Sequence, residues 1–258
     1  HVAGWPGAGR PMTFGLWDAA LIFLGALAGG FVNGLTGFGT GITAMPFWLL
    51  TAPPVIAAQL AAGCGLAGQL QTLPKIWRSI DWRLSARFVP AGLVGVPLGV
   101  WALPHIPIDV FKLGIGVLLI VFCAVMLLAG ASARLSRVHP VADGVAGFSG
   151  GLLAGVAGLS GPIPTAWAVV QDWTRDQKRA LFQTFNAIIL AAMLAASAVA
   201  GLMSFAFLKA MAIALFGTTL GVLAGSFIYG RLNTRGFDRV VLVVLLVSGV
   251  VIVAQALL

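Results

Sequence analysis

Long apolar runs separated by short polar or charged loops occupy the chain from residue 17 to its end. A helix of about 20 apolar residues crosses the hydrocarbon core of a bilayer and satisfies every backbone amide within its own segment. The pattern therefore predicts an all-α integral membrane protein. The predicted apolar segments are 17–50, 54–73, 86–103, 110–130, 141–170, 180–203, 206–230 and 239–258.

Glycine-rich interruptions divide two of these segments, 17–50 and 141–170. The first interruption spans 34–41 and precedes Pro46, and the second spans 155–164. Closely spaced glycines followed by proline unwind a helix, and unwound backbone at membrane depth must line a cavity or be buried in protein. We expect each segment to fold into a hairpin at its interruption. A kinked helix that allows close packing is the alternative.

An internal duplication relates the two interruptions. Four glycines recur 121 residues later, and these pairs are Gly29 and Gly150, Gly30 and Gly151, Gly34 and Gly155, and Gly37 and Gly158. Two more pairs, separated by 126 residues, are Gly95 with Gly221 and Gly99 with Gly225. The duplication predicts two transmembrane repeats, 17–130 and 141–258, each a broken hairpin plus three crossings. Because that number of crossings is odd, the second repeat is expected to be inverted relative to the first.

The regions outside the repeats are short. Residues 131–140 are predicted to form a cytoplasmic linker between the two repeats. Residues 1–16 form an N-terminal extension, and whether the part before Met12 is native is left open.

Composition excludes a soluble fold. Hydrophobic residues make up 60% of the chain and charged residues 9%, with a mean hydropathy of +1.03, whereas soluble domains carry about 25% charged residues. The formal net charge of +8 could suggest nucleic acid, but the basic residues do not form the clustered face that phosphate binding requires. We therefore expect a lipid environment and no nucleic-acid partner.

Most of the Lys and Arg residues lie in four loops, which the positive-inside rule places in the cytoplasm. These residues are Lys75, Arg78, Arg83, Arg87, Arg134, Arg137, Arg175, Lys178, Arg179, Arg231, Arg235 and Arg239. This distribution predicts a multi-pass protein with both termini outside.

The candidate site consists of neutral hydrogen-bond donors at the two interruptions. An unwound glycine turn exposes backbone amides, and the half-helix that follows directs its positive dipole end inward, an arrangement that suits an anion. The predicted substrate-binding residues are Asn33, Thr36, Gly37, Gly39, Thr40, Gly158, Ser160, Gly161, Gln59, Gln183 and Asn186. For the hydroxyl groups, bonding to their own helix backbone is an equal alternative. For the amides, simple bonding between helices is the alternative, and Gln69 is expected near the membrane interface instead.

The chain lacks the groups that other functions need. It contains no Glu, and its seven Asp residues lie at segment ends or in loops, whereas a cation carrier usually keeps an ionisable residue inside the membrane. The histidines are terminal or in loops, and no catalytic motif, metal-ligand cluster or phosphate loop is present. We therefore predict a protein that is not an enzyme and that uses no metal or cofactor.

The glycine motifs resemble those of the sulfite exporter TauE/SafE family. That family carries Gly-x-x-x-Gly-x-x-Gly-x-Gly-Gly-Gly, shortly before a Pro, at the start of each half. The matching residues are Gly30, Gly34, Gly37, Gly39, Gly41 and Pro46 in the first copy, and Gly151, Gly155, Gly158 and Gly161 in the second. Thr40, Ser160 and Pro162 depart from the motif. Later elements, Gly221 to Gly225 and Arg231-Leu232 to Phe237, are also similar.

The resemblance implies a secondary transporter that exports sulfite, an organosulfonate or a related sulfur oxyanion across the bacterial cytoplasmic membrane. Two alternatives stay open from the residues. One is a non-transporting subunit or scaffold of a membrane complex, and the other is a cation-coupled carrier of another metabolite. Whether several copies assemble into a homo-oligomer is also left open.

Overall fold

The fold is a bundle of α-helices. The computed structural model describes residues 14–73, 80–129, 140–169, 171, 173, 175–229, 250 and 254. The helices of this part are α1 (Leu16–Thr36), α2 (Thr40–Trp48), α3 (Pro54–Thr72), α4 (Trp82–Ala102), α5 (Ile108–Ala129), α6 (Pro140–Ala157), α7 (Pro162–Val169), α8 (Arg175–Val199) and α9 (Phe205–Tyr229). The all-α prediction is confirmed. Most of the N-terminal extension, the loop at 74–79, the linker and nearly all of the segment 239–258 lie outside the described residues.

In the described part of the chain, five helices are long and apolar enough to cross a membrane. They are Leu16–Thr36, Trp82–His105, Pro140–Ala157, Ala180–Val199 and Phe205–Ile228, the second of which includes a short 3-10 turn after α4. Large apolar side chains project from the outer surface of these helices, including Trp101, Phe216 and Phe227. A surface of this kind is stable in lipid and not in water. The protein is a multi-pass membrane protein.

Each predicted interruption is the bend of a helical hairpin. Helix α1 ends at Thr36, and Gly37 and Gly39 adopt left-handed φ angles of 80° and 93° before α2 begins. Helix α2 then returns along α1. A hydrogen bond joins the two helices: the indole Nε1 of Trp48, at the end of α2, donates to the carbonyl oxygen of Ile22 at 3.1 Å.

The second hairpin has the same form. Helix α6 ends at Ala157, and Gly158 caps it with a φ of 68° before α7 begins. Helix α7 returns along α6, since the indole Nε1 of Trp167 donates to Asp143 Oδ1 at 2.8 Å. Glycine is required at these bends because a side chain strains the left-handed region.

Glycine faces bring α1 and α9 into close contact. A Cβ atom on Gly34 would lie 2.9 Å from the backbone nitrogen of Ser226, and one on Gly217 would lie 2.7 Å from the carbonyl oxygen of Phe23. Small residues at a helix interface allow backbones to approach in a bilayer, where dispersion contacts drive association. The glycines of this face therefore fix the position of α9 against the first hairpin.

A second glycine interface joins α4 to α6. A Cβ atom on Gly99 would lie 2.8 Å from the Cα of Gly155, and one on Gly155 would lie 2.7 Å from the Cα of Gly99. The two glycines therefore face each other directly across the interface. This contact positions α4 against the second hairpin.

Helices α3 and α8 pack together between the two hairpins, and α3 also contacts α1, α2, α6 and α9. Their buried side chains include Leu60 on α3 and Phe185, Ile189 and Met193 on α8. Helix α3 is buried along most of its length. The bends of both hairpins therefore lie against helices that are largely buried in the centre of the bundle.

Candidate functional site

A cavity lies where the two hairpin bends meet α3 and α8. The space of about 310 Å³ that protein atoms leave empty here includes open solvent, so the enclosed part of the cavity is much smaller. Its lining residues are Asn33, Phe38, Gly39, Thr40, Gly41, Ile42, Ala61, Gly65, Gln69, Gly158, Leu159, Ser160, Gly161, Pro162, Asn186 and Leu190. A concave site with a mostly apolar wall and a few converging polar groups is typical of small-molecule binding.

The first bend contributes main-chain donors to this cavity. Helix α2 begins at Thr40, so the backbone N–H groups of Thr40, Gly41 and Ile42 have no acceptor within the helix. The amide of Thr43 is the first to bond within the bend, to the carbonyl oxygen of Gly39 at 3.1 Å. These free amides and the positive end of the helix dipole favour a negative ligand.

Two side-chain amides hold the first bend in place. Asn33 Nδ2 lies 2.6 Å from the hydroxyl oxygen of Thr40, which ties the end of α1 to the start of α2. Gln69, on α3, donates from Nε2 to the carbonyl oxygen of Gly37 at 2.8 Å. Asn33 and Gln69 are both buried. The position of the α2 amides therefore depends on α1 and α3 together.

The second bend orients a side-chain donor that lies on α8. The hydroxyl of Ser160 donates to Asn186 Oδ1 at 2.7 Å. That bond occupies the amide oxygen, and the amide nitrogen lies on the side of Gly161, 3.8 Å from where a Cβ on that glycine would stand. Helix α7 has proline at positions 162 and 164, and proline has no backbone N–H. This helix therefore offers fewer main-chain donors than α2.

Seven of the predicted site residues line the cavity together. They are Asn33, Gly39, Thr40, Gly158, Ser160, Gly161 and Asn186. Residues from both predicted interruptions thus meet in one place, although 121 or more positions separate the members of each glycine pair in the chain.

Four predicted site residues do not line the cavity. The hydroxyl of Thr36 donates to the carbonyl oxygens of Val32 and Phe38, at 3.0 and 2.7 Å, and therefore holds the turn itself. Gln59 donates to the carbonyl oxygen of Leu202 at 3.2 Å, which is the alternative of bonding between helices. Gly37 and Gln183 lie behind the first bend, where a Cβ on Gly37 would stand 2.8 Å from Gln183 Nε2.

Gln183 is fully buried, and neither of its side-chain polar atoms has a partner among the described residues. A buried amide without hydrogen bonds costs about 1 to 3 kcal/mol in proteins. Its position directly behind Gly37 places this cost at the bend of the first hairpin.

Sequence reasoning missed Gln69, which was expected near the interface but is buried in the cavity wall. It also missed Phe38 and Leu190. Phe38 packs edge to face against Phe122 and Phe182, with ring centroids 6.4 Å apart in both pairs. The spacing of apolar residues in α3 could not reveal Gln69, because this helix is apolar around its whole circumference.

Ionisable side chains are absent from the cavity lining among the residues that the structure describes. Asp143 is buried, but it lies near the start of α6, away from this lining, and its Oδ2 is 3.6 Å from Arg87 Nη1. Asp18 accepts a hydrogen bond from Thr51, between the start of α1 and the loop after α2. The carboxylate that a cation-coupled carrier would need in the cavity is therefore not found in this part of the chain.

The family assignment follows from comparison with known proteins. The family described as "Sulfite exporter TauE/SafE" matches residues 21–252. The chain belongs to this family. The resemblance inferred from the glycine motifs is confirmed, and the TauE/SafE match includes both hairpin bends and every residue of the cavity lining.

One relative of this TauE/SafE chain is described as "Probable sulfite/organosulfonate exporter TauE", from Cupriavidus necator. It is 35% identical over 144 residues, which cover 52% of this chain and 54% of the relative. The match therefore spans about half the length of that protein. No solved structure matches the chain.

Proposed function

We propose that the protein is a secondary transporter that exports a small sulfur oxyanion, such as sulfite or an organosulfonate, across the bacterial cytoplasmic membrane. The observation that carries this proposal is the cavity between the two hairpin bends, in which the polar side chains of the described lining are all neutral. Membership of the sulfite exporter family and the name of the Cupriavidus relative support the choice of substrate.

The two halves of the protein form inverted repeats in this proposal. The pairing of helices supports it: α1 of the first half packs on α9 of the second, and α4 of the first half packs on α6 of the second. By the duplication, α6 corresponds to α1 and α9 to α4, so the two interfaces are equivalent under a twofold exchange of the halves. Transporters built in this way bind their substrate at broken helices near the midplane and alternate access around that site.

Binding in the cavity relies on complementary donors from the two bends. The amides of Thr40, Gly41 and Ile42 approach the oxyanion from the first bend. The amide nitrogen of Asn186 approaches from α8, beside the second bend, and is oriented by the 2.7 Å bond from Ser160. Donors fixed by their own partners lose little entropy on binding, which favours affinity.

The orientation in the membrane follows the basic loops, which we place in the cytoplasm, with both termini outside. In this orientation the bends of the two hairpins approach each other from opposite sides of the bilayer. The positive ends of α2 and α7 then converge near its middle, where low permittivity strengthens their attraction for an anion.

Transport by purified protein in vesicles tests this function. Vesicles loaded with sulfite or isethionate should release the anion faster than protein-free vesicles. The variant Asn186→Leu should slow release by about ten- to a hundredfold, because a hydrogen bond to a charged group is worth about 1.5 to 3 kcal/mol. The matched control is Thr184→Val, a buried polar position on the same helix that does not line the cavity.

Each outcome of that experiment has a definite meaning. Release by the wild type and by Thr184→Val, with loss in Asn186→Leu, supports the proposed site. If the Asn186→Leu variant releases the anion as fast as the wild type does, the binding site lies elsewhere in the protein. If no anion leaves the wild-type vesicles faster than the protein-free ones, transport is refuted, and the scaffold alternative is favoured.

A further inference from the structure

The charge of the cavity is carried by the two helix ends alone. Side chains of Lys, Arg, His and Asp are absent from its lining among the described residues. Each helix N-terminus acts as about half of a positive elementary charge, so α2 and α7 together supply about one. Titratable groups on the helices of the wall lie elsewhere. They are Asp18 on α1, Cys64 on α3, Asp143 on α6 and Lys178 on α8, and the side chains of Arg175, Asp176 and Arg179 are outside the described part.

An acceptor without a donor stands in the cavity wall. Gln69 is 1% exposed, and its Oε1 has no partner among the described residues. The orientation of this amide is fixed, because the carbonyl oxygen of Gly37 can only accept and must therefore face Nε2. Asn33, also in the wall, has an unpartnered Oδ1 as well.

These amide oxygens favour a bound oxyanion that carries less negative charge. Their negative partial charge repels further negative charge on the ligand. They can accept a hydrogen bond only from a ligand that carries a proton or from a water bound with it. Hydrogen sulfite can donate such a bond. An alkanesulfonate cannot, but it carries one negative charge and is repelled less by these oxygens than a dianion is.

Desolvation points in the same direction. The cost of moving an ion out of water rises with the square of its charge, so it is about fourfold larger for a dianion than for a monoanion of equal size. About one positive charge from the helix ends balances one negative charge and leaves a second without compensation. A wall whose described residues include no cation therefore discriminates between charge states.

We propose that the site accepts sulfur oxyanions only as monoanions, namely hydrogen sulfite and alkanesulfonates, and excludes the dianions sulfite and sulfate. This inference rests on the proposed function, since it assigns the charge state of the anion that the same cavity carries. It implies that the protonation of the substrate, and not of the protein, sets how transport responds to pH.

Uptake into vesicles with equal pH inside and outside tests this inference. Labelled sulfite is supplied at a fixed total concentration, and methanesulfonate, which stays a monoanion throughout, serves as the control. Above the second pKa of sulfurous acid, the fraction present as hydrogen sulfite falls about tenfold for each pH unit. Uptake of sulfite, relative to methanesulfonate, should fall by the same factor. Protein-free vesicles at each pH correct for leakage of neutral sulfur dioxide.

Competition gives a second measurement on the wild type. Excess methanesulfonate should block sulfite uptake, whereas the same excess of sulfate should leave it unchanged. Sulfite uptake that stays constant or rises with pH, or strong competition by sulfate, would overturn the charge-state inference and leave transport itself standing. Absence of uptake of both anions at every pH would refute the proposed function and this inference with it.

A cation placed in the wall should relax the selectivity. The variant Leu190→Lys adds a positive charge to the lining, and Leu190→Met is the matched control of similar size. In the lysine variant the ratio of sulfite to methanesulfonate uptake at high pH should rise at least tenfold. If the lysine variant is poorly folded, Gln69→Lys provides the same charge at a second position, and an unchanged ratio in a folded variant contradicts the inference.

Discussion

The two hairpins use the same backbone device but supply different donors to the cavity. At the first bend Gly37 and Gly39 are both left-handed, and three consecutive amides open α2. At the second bend only Gly158 is left-handed, and prolines remove two amides from α7. The side-chain amide of Asn186 on α8, oriented by the hydrogen bond from Ser160, is the donor on this side of the cavity. The second hairpin thus has the same kind of bend as the first but presents different polar groups to the cavity.

The surroundings of the two capping glycines differ as much as the donors do. Behind Gly37 lies the amide end of Gln183, a flexible side chain. Behind Gly158 lies the backbone of α3, with the nitrogen of Ala62 only 2.9 Å from the position of a Cβ atom. The first bend therefore has room to adjust, and the second is clamped between α6 and α3.

The largest expected difference concerns these glycines. In both Gly37→Ala and Gly158→Ala the left-handed backbone costs about 1 to 2 kcal/mol. Only Gly158→Ala adds an overpacking cost of about 1 to 3 kcal/mol, because helix backbone cannot move as a side-chain end can. Thermal unfolding of the purified variants in detergent should rank Gly158→Ala well below Gly37→Ala. Equal unfolding temperatures would show that the two bends are clamped alike.

The next difference concerns the donors. Ser160→Ala removes the group that orients Asn186, and we expect export to fall about tenfold. Thr40→Val removes a hydroxyl but leaves the three amides of α2 in place, so export should fall only about two- to threefold. Initial rates of sulfite release from vesicles measure both. A larger effect of Thr40→Val would mean that the first bend also binds mainly through side chains.

The smallest effect is expected from a substitution that restores a main-chain donor to the second bend. Pro162→Ala provides an N–H in the first turn of α7, where the helix backbone cannot use it. We expect anion affinity to increase about two- to threefold, measured as the half-saturating concentration for release. Gly41, the equivalent position in the first half, already has this donor. Unchanged affinity in Pro162→Ala would indicate that α7 does not direct its N-terminus at the anion.

The local chemistry of the chain was sufficient to locate the hairpins. Glycines spaced two or three apart and followed by proline cannot continue a helix, so the bends at Gly37 and Gly158 were predictable without any tertiary information. The apolar runs likewise required helices, because lipid offers no partner to an open backbone. The TauE/SafE family also followed from these glycines, since they are the residues of its motif.

The packing of helices decided which amides meet the cavity. Gln59, Gln69 and Gln183 all lie in apolar helices, yet only Gln69 lines the cavity, while Gln59 bonds to Leu202 and Gln183 lies behind Gly37. A helix that is apolar on every side has no hydrophobic stripe to reveal its rotation, so the direction of a single amide depends on contacts with its neighbours. The glycine bends are local and can be read from the chain, whereas the direction of a buried amide depends on contacts between helices distant in sequence.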